Sequence, residues 1–465
     1  MSSSSGSGVL TLLHTACGAG ILAMPYAFKP YGLVAGFGMI LFCGICSCGG
    51  LLLQSQVSKY APPRHASFFA LAQLTYPQLS VVFDLAIAIK CFGVGVSYMV
   101  VAGDVLPQIF STFTHHPLLL NRNFHVTLVM ACVVAPLCFM RRLNSLRYAS
   151  MVAISAVAYL CVLVVVHFLV PSQELRDLKG DVTIWKPTGP FAQAMSCLPI
   201  YVFAYTCHHN MFSIINEQAN PSLKNLRRIS ITAVTIALAL YVVIGGAGYL
   251  TFGDHVVGNV ITRYPQSAAT TLGRIAIALL VILAFPLQCH PARASVNHIL
   301  HFFETKTTDT TTVPVVDLNA PSTTTPVTAA SPAGPHTDEF ASLIPPTPTD
   351  ELIEEGSPQQ PTTVPLEGSR FLGITAAILV FSYLLAISVT SLARVLAVVG
   401  ATGSTSISFI LPGIFGYQLI GSEFKPGTAP FQVKLMNKLA FALACWGVCV
   451  LVTCLSATLF FGAKH

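Results

Sequence analysis

Two short stretches of this 465-residue chain place residues capable of polar chemistry inside runs that are otherwise apolar. The first is His14, Thr15, Ala16, Cys17, Gly18, Ala19 and Gly20, followed by Pro25. The second runs from Pro199 through Phe203, Ala204 and Tyr205 to Thr206, Cys207, His208, His209 and Asn210. Gly and Pro weaken helical hydrogen bonding, so a helix is expected to open at both places. Opening over Thr15 to Gly20 would expose amide N–H groups at the start of a half-helix, where the backbone dipole favours a carboxylate. Free carbonyls around Phe203 to Tyr205 would suit an ammonium group. Together they describe a clamp for an α-amino acid. The alternatives are that Gly18 and Gly20 only let helices pack closely, and that His208 and His209 only end a helix.

Other polar side chains are isolated. Lys90 and Asp104 share one apolar run, and a charge at membrane depth is costly enough to be a functional candidate by default. Asp104 lies near a helix end before Pro107, which also fits an interfacial position, and Asp84 is too far along the helix to be a one-turn partner for Lys90. Arg274 can anchor a helix by extending its charge to the interface. Cys43, Cys46 and Cys48 superficially resemble a metal cluster but lie in an apolar run without a nearby His or carboxylate. They, like the rest of the 14 cysteines, read as small apolar packing residues with free thiols. No metal site and no cofactor are expected.

The elements that carry these residues must be membrane helices. Charged residues make up 9% of the chain and hydrophobic ones 54%, against roughly a quarter charged in an average soluble domain. So few charges cannot cover a water-facing surface. The balance of 24 Lys and Arg against 18 Asp and Glu is mildly basic, but no basic stripe interleaved with aromatics occurs, which argues against nucleic acid. Met1 to Gly8 carries no positive charge, so the first apolar run is expected to be a permanent helix rather than a cleaved signal.

A spanning helix needs about 20 mostly apolar residues. Eleven stretches qualify, near residues 9-28, 32-53, 80-103, 125-140, 147-170, 192-214, 229-250, 269-290, 371-390, 404-420 and 439-461. The expected fold class is therefore an all-α membrane protein with eleven transmembrane helices. With the N-terminus inside, fourteen Lys and Arg fall on the cytosolic side and eight on the other, and Lys90 and Arg274 within spans complete the 24. The excess, led by Arg141, Arg142, Arg227 and Arg228, predicts a cytosolic N-terminus and a C-terminus on the opposite side. The two interrupted runs open helices 1 and 6, each the first of five. Matching interruptions in two halves predict a 5+5 inverted repeat with a midplane site, plus one extra helix.

The expected organisation is a transporter core of helices 1-8 over residues 1-303, a loop over 304-368, and helices 9-11 over 369-465. The loop is rich in Thr and Pro and carries Asp350, Glu351, Glu354 and Glu355. It has too little apolar surface to fold alone and is expected to be disordered and cytosolic. Its Thr-Pro sites could be phosphorylated, or it could be a tolerated insertion.

Several tracts carry a resemblance: GAGILAMPYAF from Gly18, GDVLP from Gly103, VFAYTCHHNMFSIINE from Val202, GYLTFG from Gly248, FPLQCHPAR from Phe285 and GATGSTSISFILPG from Gly400. In these the chain resembles the amino acid/auxin permease family, within the group that holds sodium-coupled neutral amino acid transporters and fungal vacuolar amino acid transporters. The resemblance implies that the first ten of eleven helices adopt the fold of the bacterial leucine transporter, with substrate between helices 1, 3, 6 and 8. It also implies a vacuolar or lysosomal membrane rather than the plasma membrane.

Two departures from the sodium-coupled pattern matter. Those relatives carry Asn where this chain has His14 and Thr where it has Ala284, and those residues supply ligands to sodium. Ala284 offers no side-chain oxygen, and imidazole replaces an amide carbonyl poorly around a hard cation. The driving ion is therefore expected to be the proton, with His14, His208 and Lys90 as coupling candidates and Ala284 as the lost sodium ligand; His14 titrates in the relevant range. The expected partners are an amino acid, protons and the lipid bilayer. Competing readings are a sodium-coupled plasma-membrane carrier, an amino acid sensor on a transporter fold, a channel and an intramembrane enzyme.

Overall fold

The computed structural model describes residues 5–140, 149–185, 190–218, 221–311, 366, 368–425 and 428–461. Its regular elements are helices. In chain order they are α1 (Ser5–Ala16), α2 (Ala19–Ala27), α3 (Gly32–Val57), α4 (Phe68–Thr75), α5 (Ser80–Phe110), α6 (Arg122–Val129), α7 (Ala135–Phe139), α8 (Ala149–Leu169), α9 (Gln173–Asp177), α10 (Phe191–Ala204), α11 (Met211–Glu217), α12 (Leu223–Phe252), α13 (Ala268–Thr311), α14 (Gly368–Ser388), α15 (Leu392–Val399), α16 (Leu411–Leu419) and α17 (Phe431–Phe461).

Among the described residues, nine helical stretches are long and apolar enough to cross a membrane, and α1 with α2, bent by 56° at their junction, makes a tenth. The expected run at 192-214 is present in two pieces, α10 of 14 residues and α11 of 7, separated by Tyr205–Asn210. Neither piece alone spans a bilayer, because the interruption that marks this helix also shortens it.

Some continuous helices hide local irregularity. Between α6 and α7 the backbone widens into a π turn over Met130–Val134, just before Pro136. A proline cannot donate to the ordinary i−4 carbonyl, and a wider turn absorbs the mismatch. Two further π turns, Gly400–Ser404 and Ser406–Ile410, lie between α15 and α16. The tenth expected run is thus longer than 404-420 and begins at Leu392. At the expected loop boundary of residue 303 the backbone stays helical and continues to Thr311. The remainder of that loop, apart from Leu366 and Gly368, lies outside the described residues, as do Arg141, Arg142 and Arg147, on which the orientation argument leans.

Burial orders the helices. The apolar window of α17 is 22% buried, whereas that of the stretch Leu392–Leu419 is 78% buried, so the first is peripheral and the second central. Helices α5 and α13 pack along one another, and α12 touches α1, α2, α3 and α8. Its start is capped by Ser222, whose hydroxyl accepts from the Asn225 amide. At its far end Gly180 N–H donates to Phe252 O at 2.9 Å and Asp181 N–H donates to Asp254 Oδ1 at 2.8 Å, which straps the loop after α9 across that end.

Candidate functional site

The two interruptions meet. Gly18, with φ −95° and ψ −136°, separates α1 from α2, and its N–H turns back to Ala16 O at 2.9 Å. A Cβ at Gly20 would lie 2.9 Å from the Cα of Ala204 and 3.2 Å from the Phe203 ring, so glycine is what lets α2 approach the end of α10. Tyr241 of α12 joins both breaks: its hydroxyl lies 2.9 Å from Ala16 O and 2.6 Å from Ala204 O. One proton serves two carbonyls there, and those carbonyls are free for it only because both helices stop. Tyr205 stacks edge-on against Tyr241 with ring centroids 5.0 Å apart.

The second break is held from α3. Ser47 Oγ donates to Tyr205 O at 3.1 Å, Gln54 Nε2 donates to His208 O at 3.2 Å, and His208 Nε2 lies 3.0 Å from Ser47 O. A carbonyl can only accept, so Nε2 carries the proton and the ring is the neutral tautomer or the cation. His208 is fully buried and packs by Gly50 and Ser408. Asn210 reaches back to the first break, donating from Nδ2 to Thr15 Oγ1 at 2.7 Å.

Beside these breaks lies a cavity of about 210 Å3, lined on the α1 side by Thr11, His14 and Thr15, and elsewhere by Tyr98, Ser150, Asn210, Ser213, Glu217, Ala284 and Gln288. Ser213 and Glu217 are exposed, so the cavity opens toward the end of the bundle where α1 begins. Tyr98 closes its inner end: its hydroxyl would be 2.8 Å from a Cβ at Gly18. His14 Nδ1 lies 2.9 Å from Ser150 Oγ. The structure therefore brings His14, Thr15 and Ala284 to one cavity, while Ala16, Cys17, Ala19, Gly20, Phe203, Ala204 and Tyr205 form the packed wall behind it, all buried.

Lys90 is not on this cavity but stands one side chain away. It is 2% exposed, its Nζ donates to Gln288 Oε1 at 3.2 Å, and it lies 3.0 Å from the His209 ring nitrogens. No carboxylate pairs with it among the described residues. Asp84 instead faces His298 at 3.3 Å. Asp104 accepts from Arg122 at 3.3 Å, and Arg122 also donates to Ala386 O and Val389 O, so this pair ties α5 and α6 to the end of α14. Arg274 donates to Gln266 Oε1 and Tyr264 O, an anchoring role at the start of α13.

Sequence reasoning missed Tyr241, Tyr98, Ser47 and Glu217. A tyrosine or serine in an apolar helix looks like ordinary packing, and only the paired breaks could have directed attention to what faces them. Among the described residues no group of three or more His, Cys, Asp or Glu could hold a metal ion.

A multi-span helical membrane protein with two interrupted helices side by side, and a polar cavity at the junction, is the class defined here. The pattern describing the transmembrane amino acid transporter protein matches residues 1–456, and the chain belongs to that family. It is 55% identical over 454 residues to vacuolar amino acid transporter 6 of Saccharomyces cerevisiae, covering 97% of this chain and 98% of that one. Vacuolar amino acid transporter 5 of the same yeast is 50% identical over 483 residues, with 98% of each chain covered. Sodium-coupled neutral amino acid transporter 7 of Homo sapiens is 27% identical over 303 residues, 62% of this chain and 64% of that one.

Proposed function

We propose that this protein is a proton-coupled, sodium-independent secondary transporter of amino acids in a vacuolar membrane. The observation that carries the substrate reading is the meeting of the two breaks under Tyr241. In this reading amides at the start of α2, with the Tyr98 hydroxyl, take the carboxylate, and the carbonyls at the end of α10, which here accept from Thr206, Tyr241 and Ser47, take the ammonium group when the packed wall behind the cavity opens. The cavity, at about 210 Å3, is smaller than the ~300–1,000 Å3 of drug-sized sites and suits one small zwitterion. The vacuolar assignment rests on the yeast relatives, whose printed names say vacuolar amino acid transporter and which match nearly end to end.

In this reading α10 and α11 form one broken span, which with α1–α2 brings the count to eleven, arranged as a 5+5 inverted repeat plus one. The N-terminus is cytosolic, the cavity is open to the cytosol, and residues 304-368 form a cytosolic loop. His14 and Ala284 lining one cavity supports replacement of a sodium ligand pair by a titratable group. Glu217 on the same cavity, and Lys90 reached through Gln288, are the other charged groups near it. His208, sealed against α3, is better suited to bracing the second break than to carrying a proton.

Uptake by purified protein in liposomes, driven by an imposed pH gradient with choline replacing sodium, tests both parts. Stereoselective, saturable uptake that follows the proton gradient is expected. A strict sodium requirement would sink the coupling assignment, and non-saturable flux would sink the carrier assignment.

A further inference from the structure

At the end of the bundle where α3 finishes and α12 and α17 begin, an apolar groove of about 690 Å3 runs between these three helices on the outer surface. Cys46, Gly49 and Leu53 of α3, Leu223 of α12, and Leu439 and Leu443 of α17 form its walls. Lys224 and Arg227 stand at its mouth, and the same two residues join Arg228 around an adjoining cup of about 270 Å3. All three cations are exposed, and none has a hydrogen bond or ion pair among the described residues.

Their position is electrostatically odd. They occupy the first two turns of a 30-residue helix that has no acidic residue in its first turn. Cations there oppose the helix dipole, which favours anions at an N-terminus. Nothing within the described protein offsets that cost, whereas an external anion would be attracted by the dipole and the side chains together. A soluble anion would use the cup alone. The apolar groove opening from it calls for an occupant with a hydrocarbon chain attached to the charge, at the depth where a bilayer supplies both.

We propose that this groove binds one anionic glycerophospholipid, with its phosphate held by Lys224, Arg227 and Arg228 and an acyl chain laid between α3 and α17 over Gly49. A Cβ at Gly49 meets no atom within 4 Å, so the space above it is open to a chain. The site is separate from the transport cavity and does not depend on the substrate or the driving ion.

Native mass spectrometry of the purified full-length protein with phosphatidylinositol, against phosphatidylcholine of the same acyl chains, tests it. Phosphatidylinositol should be retained and phosphatidylcholine lost. The combined variant Lys224→Gln, Arg227→Gln, Arg228→Gln should weaken retention roughly a hundredfold, as expected for three interfacial cations. Gly49→Phe fills the groove while leaving the cations in place, and should weaken retention about tenfold. Thermal unfolding in lipid-free detergent reports whether each variant is folded. Equal retention of phosphatidylcholine overturns the proposal. So does undiminished binding in Gly49→Phe, which would leave surface attraction alone, or binding of soluble inositol phosphate as tight as that of the lipid.

Discussion

Tyr241 and Tyr98 make different demands on the same small volume. Tyr241 donates into the ends of two helices, so Tyr241→Phe leaves the buried Ala204 carbonyl without its donor, while Ala16 O keeps the Gly18 N–H. A neutral hydrogen bond is worth about 0.5–1.5 kcal/mol net, and an orphaned buried acceptor costs more. The variant should fold but lose transport by about tenfold or more, read as initial uptake rate in liposomes. The Tyr98 hydroxyl has no hydrogen-bond partner among the described residues and stands over Gly18. Tyr98→Phe should raise the KM for the amino acid several-fold with little change in thermal stability, and an unchanged KM would remove Tyr98 from the site. At this scale the sequence was only half legible. Gly18, Gly20 and the Thr206–Asn210 run announce themselves because they contradict their apolar surroundings. Tyr241 does not, since phenol is as much at home in a packed core as at a helix end.

At the scale of elements, the breaks work because neighbouring helices hold them. Gly20 permits contact with Ala204, so Gly20→Val forces α2 and α10 apart; transport should fall below detection while the protein still reaches the membrane, measured by uptake against surface-normalised protein. The equivalent change at Gly38, where a Cβ meets no atom within 4 Å, serves as a control. Most spans were readable from apolar runs: nine of the eleven expected runs fall on helices long enough to cross a membrane, and α1 with α2 makes a tenth. The π turns at Gly400–Ser404 and Ser406–Ile410 were not, because the i−5 pattern leaves no compositional trace beyond small polar residues that also fit an ordinary helix. The continuation of α13 past residue 303 was missed for the same kind of reason: Thr and Asp lower helix propensity without forbidding a helix that is already under way. Between elements, Lys59 and Tyr60 at the end of α3 hold Glu423, after α16, by hydrogen bonds of 2.8 and 2.6 Å. Those bonds pull the Glu423 carboxyl down to about 2. A carboxyl so lowered contributes its pairing above the ordinary value of about 4.5 and loses it only as pH falls toward 2. Glu423→Gln should therefore leave the pH profile of transport between 5 and 7 unchanged.

For the whole molecule, the informative asymmetry is that the exposed residues lining the cavity, Ser213 and Glu217, both belong to α11. Glu217 lies at the end of the bundle where α1 begins. In Glu217→Cys a membrane-impermeant maleimide should label the new thiol from the cytosolic side of sealed vesicles, and saturating substrate should slow the labelling. Labelling only from the opposite side would reverse the proposed orientation. The Lys and Arg distribution gave a direction for the chain, but it could not say which side the cavity faces, because that is a property of how helices lean and not of their ends.

The 56° bend between α1 and α2 has a consequence for leakage. The α1 half borders the cavity, whereas the α2 half is wedged among α10, α12 and the turn at Val260–Thr262. One polypeptide segment thus belongs to two doors of the same airlock. Were it a single stiff rod, swinging one door would drag the other, and under the proposed coupling a moment with both ajar would short-circuit the proton gradient. The hinge at Cys17 and Gly18 lets the doors keep separate schedules.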